Sequence, residues 1–236
     1  MPRDALRVSH LEIVLNDKSG PMERRLDAAL AQTVKAVKSE LNLTLVQESK
    51  MDLDYVVSSL NTKYEAQLGM RFQREFRQHA RTWLKPDGGF WYVAEWRGPR
   101  RWVLVAEAKR QGTNDARAAE GLPKQARGNA IERLGKNMRG FQALFAGEEI
   151  YPFVCFGEGC DFCPESSILD RVATLNLFFP LRQIFVEKVP LPGGTDVLNP
   201  GSLFFREESW TPAEMADVML EVCRRSIRHY QGKYGL

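Results

Sequence analysis

Apolar positions recur at Leu26, Ala29, Leu30, Val34, Val37 and Leu41, the three-and-four spacing of one helix face, and predict an amphipathic helix over residues 22–41. Residues 62–80 are charged and rich in good helix formers, which predicts a second helix. KPDGG at 85–89 then interrupts as a turn, with Pro86 and the Gly88/Gly89 pair as punctuation. FWYVAEW (90–96) and WVLVAEA (102–108) are rich in aromatic and β-branched residues and flank RGPRR, the pattern of a β-hairpin. After the basic loop GTNDARAAEGLPKQARG (112–128), helical spacing returns. Ile131, Leu134, Met138, Phe141, Leu144 and Phe145 form one stripe, Asn129 suits the N-cap, and Glu132 is its acidic partner three residues on. IYPFVCF (150–156) and FVEKV (185–189) read as further strands, and PLPGGTDVLNPG (190–201) as a loop. Thr211 and Pro212 open a closing helix over 212–230.

This alternation is that of an α/β protein. No internal repeat, low-complexity tract or linker divides it, so the expectation is a single domain over 1–236, with a helical N-terminal region at 1–80. At 236 residues and 44% hydrophobic content the chain can bury a substantial core. It carries no apolar stretch of signal-peptide length near the N-terminus and no run of about 18 apolar residues, which leads to the expectation of a cytoplasmic protein without a membrane partner. Four cysteines are too few for a disulfide framework, so reduced thiols are expected. Cys160 and Cys163 have the spacing of a metal knuckle, but no second pair or histidine couple completes a tetrahedral site. His10, His79 and His229 are scattered and are assigned nothing.

The net charge of +3 is uninformative, but its distribution is not. Between positions 97 and 139 eleven basic residues face four acidic ones, which suits a polyanion such as nucleic acid; a solvated basic face is the plain alternative.

The charged end of WVLVAEAKRQG (102–112) is the candidate chemistry. Residues two apart on a strand share a face, so Glu107 and Lys109 project together while Ala108 faces the other way. By itself that is an ordinary ion pair. A hairpin of this length, however, returns Asp87 to the end of the second strand, where two carboxylates and a lysine can converge. Two close carboxylates in a partly desolvated site are costly without a cation between them, and oxygen ligands with open positions suit Mg²⁺. The lysine has no acceptor and cannot ligate a metal; it can orient a water or meet charge building on a phosphate.

Pro86-Asp87 followed by Glu107-Ala108-Lys109 resembles the PD-(D/E)XK nuclease signature, and KPDGG, VLVAEAK and GNAIER in this order, the last followed by Lys136 and Asn137, resemble the EcoRI-type restriction endonucleases. The likeness covers residues 84–175, extending through YPFVCFGEG and ILDR. It implies a restriction-endonuclease-like fold, a central mixed β-sheet flanked by helices. It also implies catalytic residues Asp87, Glu107 and Lys109, with Mg²⁺ held by Asp87, Glu107 and the Ala108 carbonyl. Gly128, Asn129, Ala130, Glu132 and Arg133 would read a central AATT, Lys136 would lie nearer the backbone, and Arg127 or Arg171 would meet the outer base pair. An Asn amide matches adenine N6 and N7, and an Arg matches guanine O6 and N7. Arg127 occupies a position where the CAATTG-cutting branch has an Arg and the GAATTC-cutting branch a small residue, and Lys109-Arg110-Gln111 also resembles the former; ILDR fits the latter better. The reading leans to CAATTG. Partners implied are double-stranded DNA, a second copy of the chain in a homodimer, and a cognate DNA methyltransferase protecting the same sites. A DNA-binding protein of this fold without cleavage, or a structure-selective repair nuclease, are the alternatives.

Overall fold

The computed structural model describes residues 10–69, 83–111, 121, 129–145, 148, 150–159, 162 and 203–236. The elements run α1 (His10–Leu41), β1 (Leu45–Glu48), β2 (Met51–Asp52), α2 (Leu53–Leu68), β3 (Trp83–Leu84), β4 (Phe90–Val93), β5 (Trp102–Arg110), α3 (Asn129–Leu144), β6 (Phe153–Glu158), β7 (Leu203–Arg206) and α4 (Pro212–Tyr234). Five strands form one sheet in the order β1-β4-β5-β6-β7, and β2 and β3 form a small ribbon beside it. Pairing is antiparallel from β1 through β4 to β5 and parallel from β5 through β6 to β7. The sheet is therefore mixed and flanked by helices on both faces, as expected.

Helices α1 and α4 cover one face, where Leu26, Ala29 and Val37 meet Met219 and Ile227 over Leu104, Ala106 and Val154. Helix α3 covers the other, with Ile131, Leu134, Met138 and Phe141 over Val105, Phe153 and Phe205, and α2 packs behind it. A strand covered on both faces needs no polar alternation, which is why Trp102 to Ala106 are apolar without a break and all buried.

β5 carries one irregularity that aims the site. Phe90 pairs with Val105 and Trp91 with Leu104, but Tyr92 pairs with Trp102, so Val103 is an extra residue in a β-bulge. Val103 and Leu104 consequently both join the α1/α4 cluster. Trp102 and Val105 join the α3 cluster, which puts the strand from Val105 onward in phase to turn odd-numbered side chains toward α3.

Several boundaries differ from expectation. Of the helix expected over 62–80, residues 62–68 are helical and belong to α2, which begins earlier, at Leu53, and is opened by Asp52, whose carboxylate accepts from the Asp54 amide at 2.9 Å; residues 70–82 lie outside the described set. The first hairpin strand stops at Val93 rather than 96, the second continues to Arg110, and the strand expected at 150–156 runs Phe153–Glu158. Asn129 is the first residue of α3 rather than its N-cap, while the predicted stripe from Ile131 to Phe145 is buried throughout. The closing helix reaches Tyr234, with Thr211 and Glu214 completing a capping box. The strand expected at 185–189 lies outside the described residues. Among the described residues no helix is long and apolar enough to cross a membrane.

Candidate active site

The site begins with the Pro86–Gly89 turn. The Gly89 amide donates to the Pro86 carbonyl at 3.1 Å, and Gly89 adopts a φ of 73°, a left-handed conformation suited to glycine. The Gly88 amide donates to the Ala106 carbonyl at 2.9 Å, and the Ala106 amide to the Gly89 carbonyl at 3.3 Å. The turn thus lies hydrogen-bonded along β5, ahead of β4. A Cβ on Gly88 would stand 2.7 Å from the Ala106 Cβ, so a side chain there is excluded. The Gly88 carbonyl accepts from Trp91 Nε1 at 2.8 Å and Gln47 Nε2 at 3.1 Å, which pins the turn from the other side.

That docking carries Asp87 to the end of β5. Its Oδ2 accepts from the Ala108 amide at 3.2 Å and from Lys109 Nζ at 2.9 Å. Lys109 Nζ also donates to Glu107 Oε1 and, at 2.9 Å, to the Ala108 carbonyl. One ammonium therefore sits among oxygens of Asp87, Glu107 and Ala108, the three groups that the resemblance would assign to a metal. From α3, Asn137 Nδ2 donates to the same Glu107 Oε1 at 3.1 Å.

The electrostatics of these groups differ with burial. Glu107 is 1% exposed and Asp87 36%. Desolvation pushes the Glu107 carboxyl up to about 7 against the opposing pull of Lys109, with the Asp87 charge adding to the rise. Burial would lower Lys109, but the Glu107 and Asp87 carboxylates outweigh it and hold the ammonium above its ordinary value. Glu107 Oε2 is buried and has no hydrogen-bond partner. Lys109 and Asn137 both donate to Oε1, so what this buried carboxylate lacks is a partner at Oε2.

The remaining candidates divide. Glu132, Arg133 and Lys136 are exposed along α3, opposite the face that Leu134 and Met138 bury. Asn129 and Ala130 open the helix, but their side chains lie outside the described set, as do Arg127, Gly128, Arg171, Cys160 and Cys163. Cys155 is fully buried on β6, in register with Glu107. Asn137 is the residue whose site contact the sequence reading did not assign. Its signal was available: it stands three residues after Leu134 and four before Phe141, a polar side chain at the edge of an apolar stripe.

A mixed sheet whose central strand ends in Glu-Ala-Lys, met there by the Asp of a Pro-Asp turn, is the arrangement of the PD-(D/E)XK class. The family model described as restriction endonuclease EcoRI matches residues 13–169, well over half of the chain. The chain belongs to the EcoRI restriction endonuclease family. It is 29% identical over 175 residues to the type II restriction enzyme RsrI of Cereibacter sphaeroides, an alignment covering 61% of this chain and 63% of that one. It is 38% identical over 96 residues to the type II restriction enzyme EcoRI of Escherichia coli, covering 37% of this chain and 35% of the relative. The matches thus span less than two thirds of either relative's length.

Proposed function

We propose that the protein is a type II restriction endonuclease. It hydrolyses a phosphodiester bond in each strand of double-stranded DNA, with Mg²⁺, at a palindrome with an AATT core, CAATTG in preference to GAATTC, leaving 5′ extensions. The observation that carries this reading is the convergence of Asp87, Glu107 and the Ala108 carbonyl on one cation, with Glu107 Oε2 buried and unpartnered beside them.

The donor set fits a divalent metal. All three groups offer oxygen, which suits a hard cation, and Asp87 remains open to solvent and substrate. Among the described residues no cluster of three or more Asp, Glu, His or Cys side chains gathers at a point, so the remaining ligands would be water and a DNA phosphate. Asp87, Glu107 and the Ala108 carbonyl would hold Mg²⁺, which supplies charge neutralisation at the scissile phosphate and a more acidic bound water. With a divalent cation balancing those oxygens, Lys109 would be free to turn toward the substrate. With three donors and no acceptor it can hold the attacking water through a lone pair and stabilise the charge that grows on the phosphate oxygens.

Binding falls to α3. Asn129 pairs with adenine, Arg133 bridges purine acceptors, and Glu132 fixes Arg133 or accepts from an adenine amino group. Gly128 and Ala130 allow close approach, Lys136 meets a phosphate, and Arg127 or Arg171 meets the outer pair. Because one chain presents one Asp-Glu-Lys site, cutting both strands of a palindrome calls for a two-fold homodimer. A cell making this protein would need a DNA methyltransferase for the same sites. The test is incubation of the purified protein and Mg²⁺ with a plasmid of known sequence, followed by sequencing of the ends. Cuts confined to AATT palindromes support the reading, and smears or intact plasmid refute it.

A further inference from the structure

Helix α3 has two roles in the reading above, and one side chain joins them. Its first turn carries the residues assigned to base edges, and Asn137 lies eight residues later, about 12 Å along the axis at the usual rise. Ile131, Leu134, Met138 and Phe141 are buried on either side of Asn137, so α3 is anchored to the sheet on both sides of it. From there Asn137 Nδ2 reaches across to Glu107 Oε1 at 3.1 Å.

Resting on the nuclease reading, we propose that Asn137 is a positioning residue: it holds the Glu107 carboxylate from the recognition helix, so that the orientation of the metal-binding oxygen depends on where α3 sits. A carboxylate can rotate about its terminal torsion, and the two donors on Oε1 define which oxygen faces the point where Asp87 and the Ala108 carbonyl converge. Lys109 gives one of them, but it must leave when a metal takes the same oxygens. Asn137 is uncharged, comes from a different element and can stay. When α3 is seated on the correct base pairs, Asn137 keeps Oε1 turned toward the point where Asp87 and the Ala108 carbonyl converge. When a wrong pair displaces the first turn, the same rigid helix carries the amide off Oε1.

The test compares wild type with Asn137→Ala, using Asn137→Asp as a second, isosteric variant that lacks the donor. Asn137 is half-buried, and neither change removes core volume. Three quantities are read: the affinity for a 20-base-pair duplex containing the cut site in EDTA, the affinity of that complex for Ca²⁺ by calorimetry, and the single-turnover cleavage rate in Mg²⁺. The expected result is duplex affinity within threefold of wild type, with Ca²⁺ affinity and cleavage rate each reduced 10- to 100-fold, the usual range for an outer-shell partner. Asn137→Asp should lose at least as much. Wild-type Ca²⁺ affinity and rate in both variants would overturn the inference while leaving the nuclease reading intact. A loss of duplex affinity equal to the loss of rate would also overturn it, because Asn137 would then serve DNA binding. Wild-type protein that cuts nothing removes the nuclease reading and this inference together.

Discussion

Replacing Glu107 with glutamine removes a charge that burial makes expensive. The carboxyl is 1% exposed, and desolvation carries it from 4.5 up to about 7 in the folded protein. At ~1.4 kcal/mol per pH unit, keeping it ionised above that value costs the folded state on the order of 3 kcal/mol. The sign follows from proton counts. Between pH 4.5 and about 7 the folded protein holds a proton on Glu107 that the unfolded chain has released, so wild-type stability falls as pH rises through this window. The stabilisation is complete below pH 4.5 and lost above about 7. Glutamine has no charge to desolvate, but its presence leaves Lys109 with Asp87 alone, which takes back part of the gain. A net advantage of about 1–2 kcal/mol at pH 8.5 is expected, a melting temperature higher by roughly 2–8 °C for a protein of this size. Thermal unfolding in EDTA at pH 8.5 and pH 5 reads it directly: the gap should be present at the higher pH and narrow at the lower. Added Mg²⁺ should raise the wild-type midpoint at pH 8.5 and leave Glu107→Gln where it was. A variant less stable than wild type at pH 8.5, or a gap independent of pH, would refute this account of Glu107.

Lys109→Ala should retain DNA binding and lose cleavage by roughly 10²–10³ or more, the scale for removing a group that stabilises transition-state charge; gel shift and single-turnover cleavage separate the two. Gly88→Ala puts a methyl group 2.7 Å from the Ala106 Cβ and forces the turn off β5. Expected are a loss of about 1–3 kcal/mol in urea unfolding and a fall in cleavage as Asp87 leaves Lys109. Lys136→Ala should weaken every duplex alike and shallow the salt dependence by about one counterion, whereas Arg133→Ala should lose about 1–3 kcal/mol of discrimination at AATT. Filter binding at several salt concentrations, on cognate and altered duplexes, distinguishes them.

The parts of the fold that were legible are those in which one physical signal dominates. The stripe from Ile131 to Phe145 and the apolar run into Glu107 announce their own burial, and the PDGG turn announces its geometry. The start of α2 was not expected because Val56, Val57, Ser58 and Ser59 are poor helix formers, and it is the Asp52 cap and packing behind α3 that hold the helix there. β1, an edge strand with only Leu45 fully buried, and β7, four residues long, carry too little pattern to register. The convergence of Asp87, Glu107 and Lys109 was readable because hairpin length and strand alternation fix it. The bulge at Val103 was not, although it decides which face Glu107 meets, because it depends on pairing with Trp91 and Tyr92 rather than on any local residue preference. Asn137 escaped for the same reason: its partner is thirty residues away in sequence.

The central claim is that this site cuts DNA at short palindromes with an AATT core, and mapped cleavage ends test it most directly. Purified protein with Mg²⁺ on a plasmid carrying CAATTG, GAATTC and other six-base sequences around AATT should give ends only at AATT palindromes, at CAATTG first. Lys109→Ala should give none. Ends scattered across the plasmid, ends at branches or nicks regardless of sequence, or tight binding with no ends from the wild-type protein would contradict it.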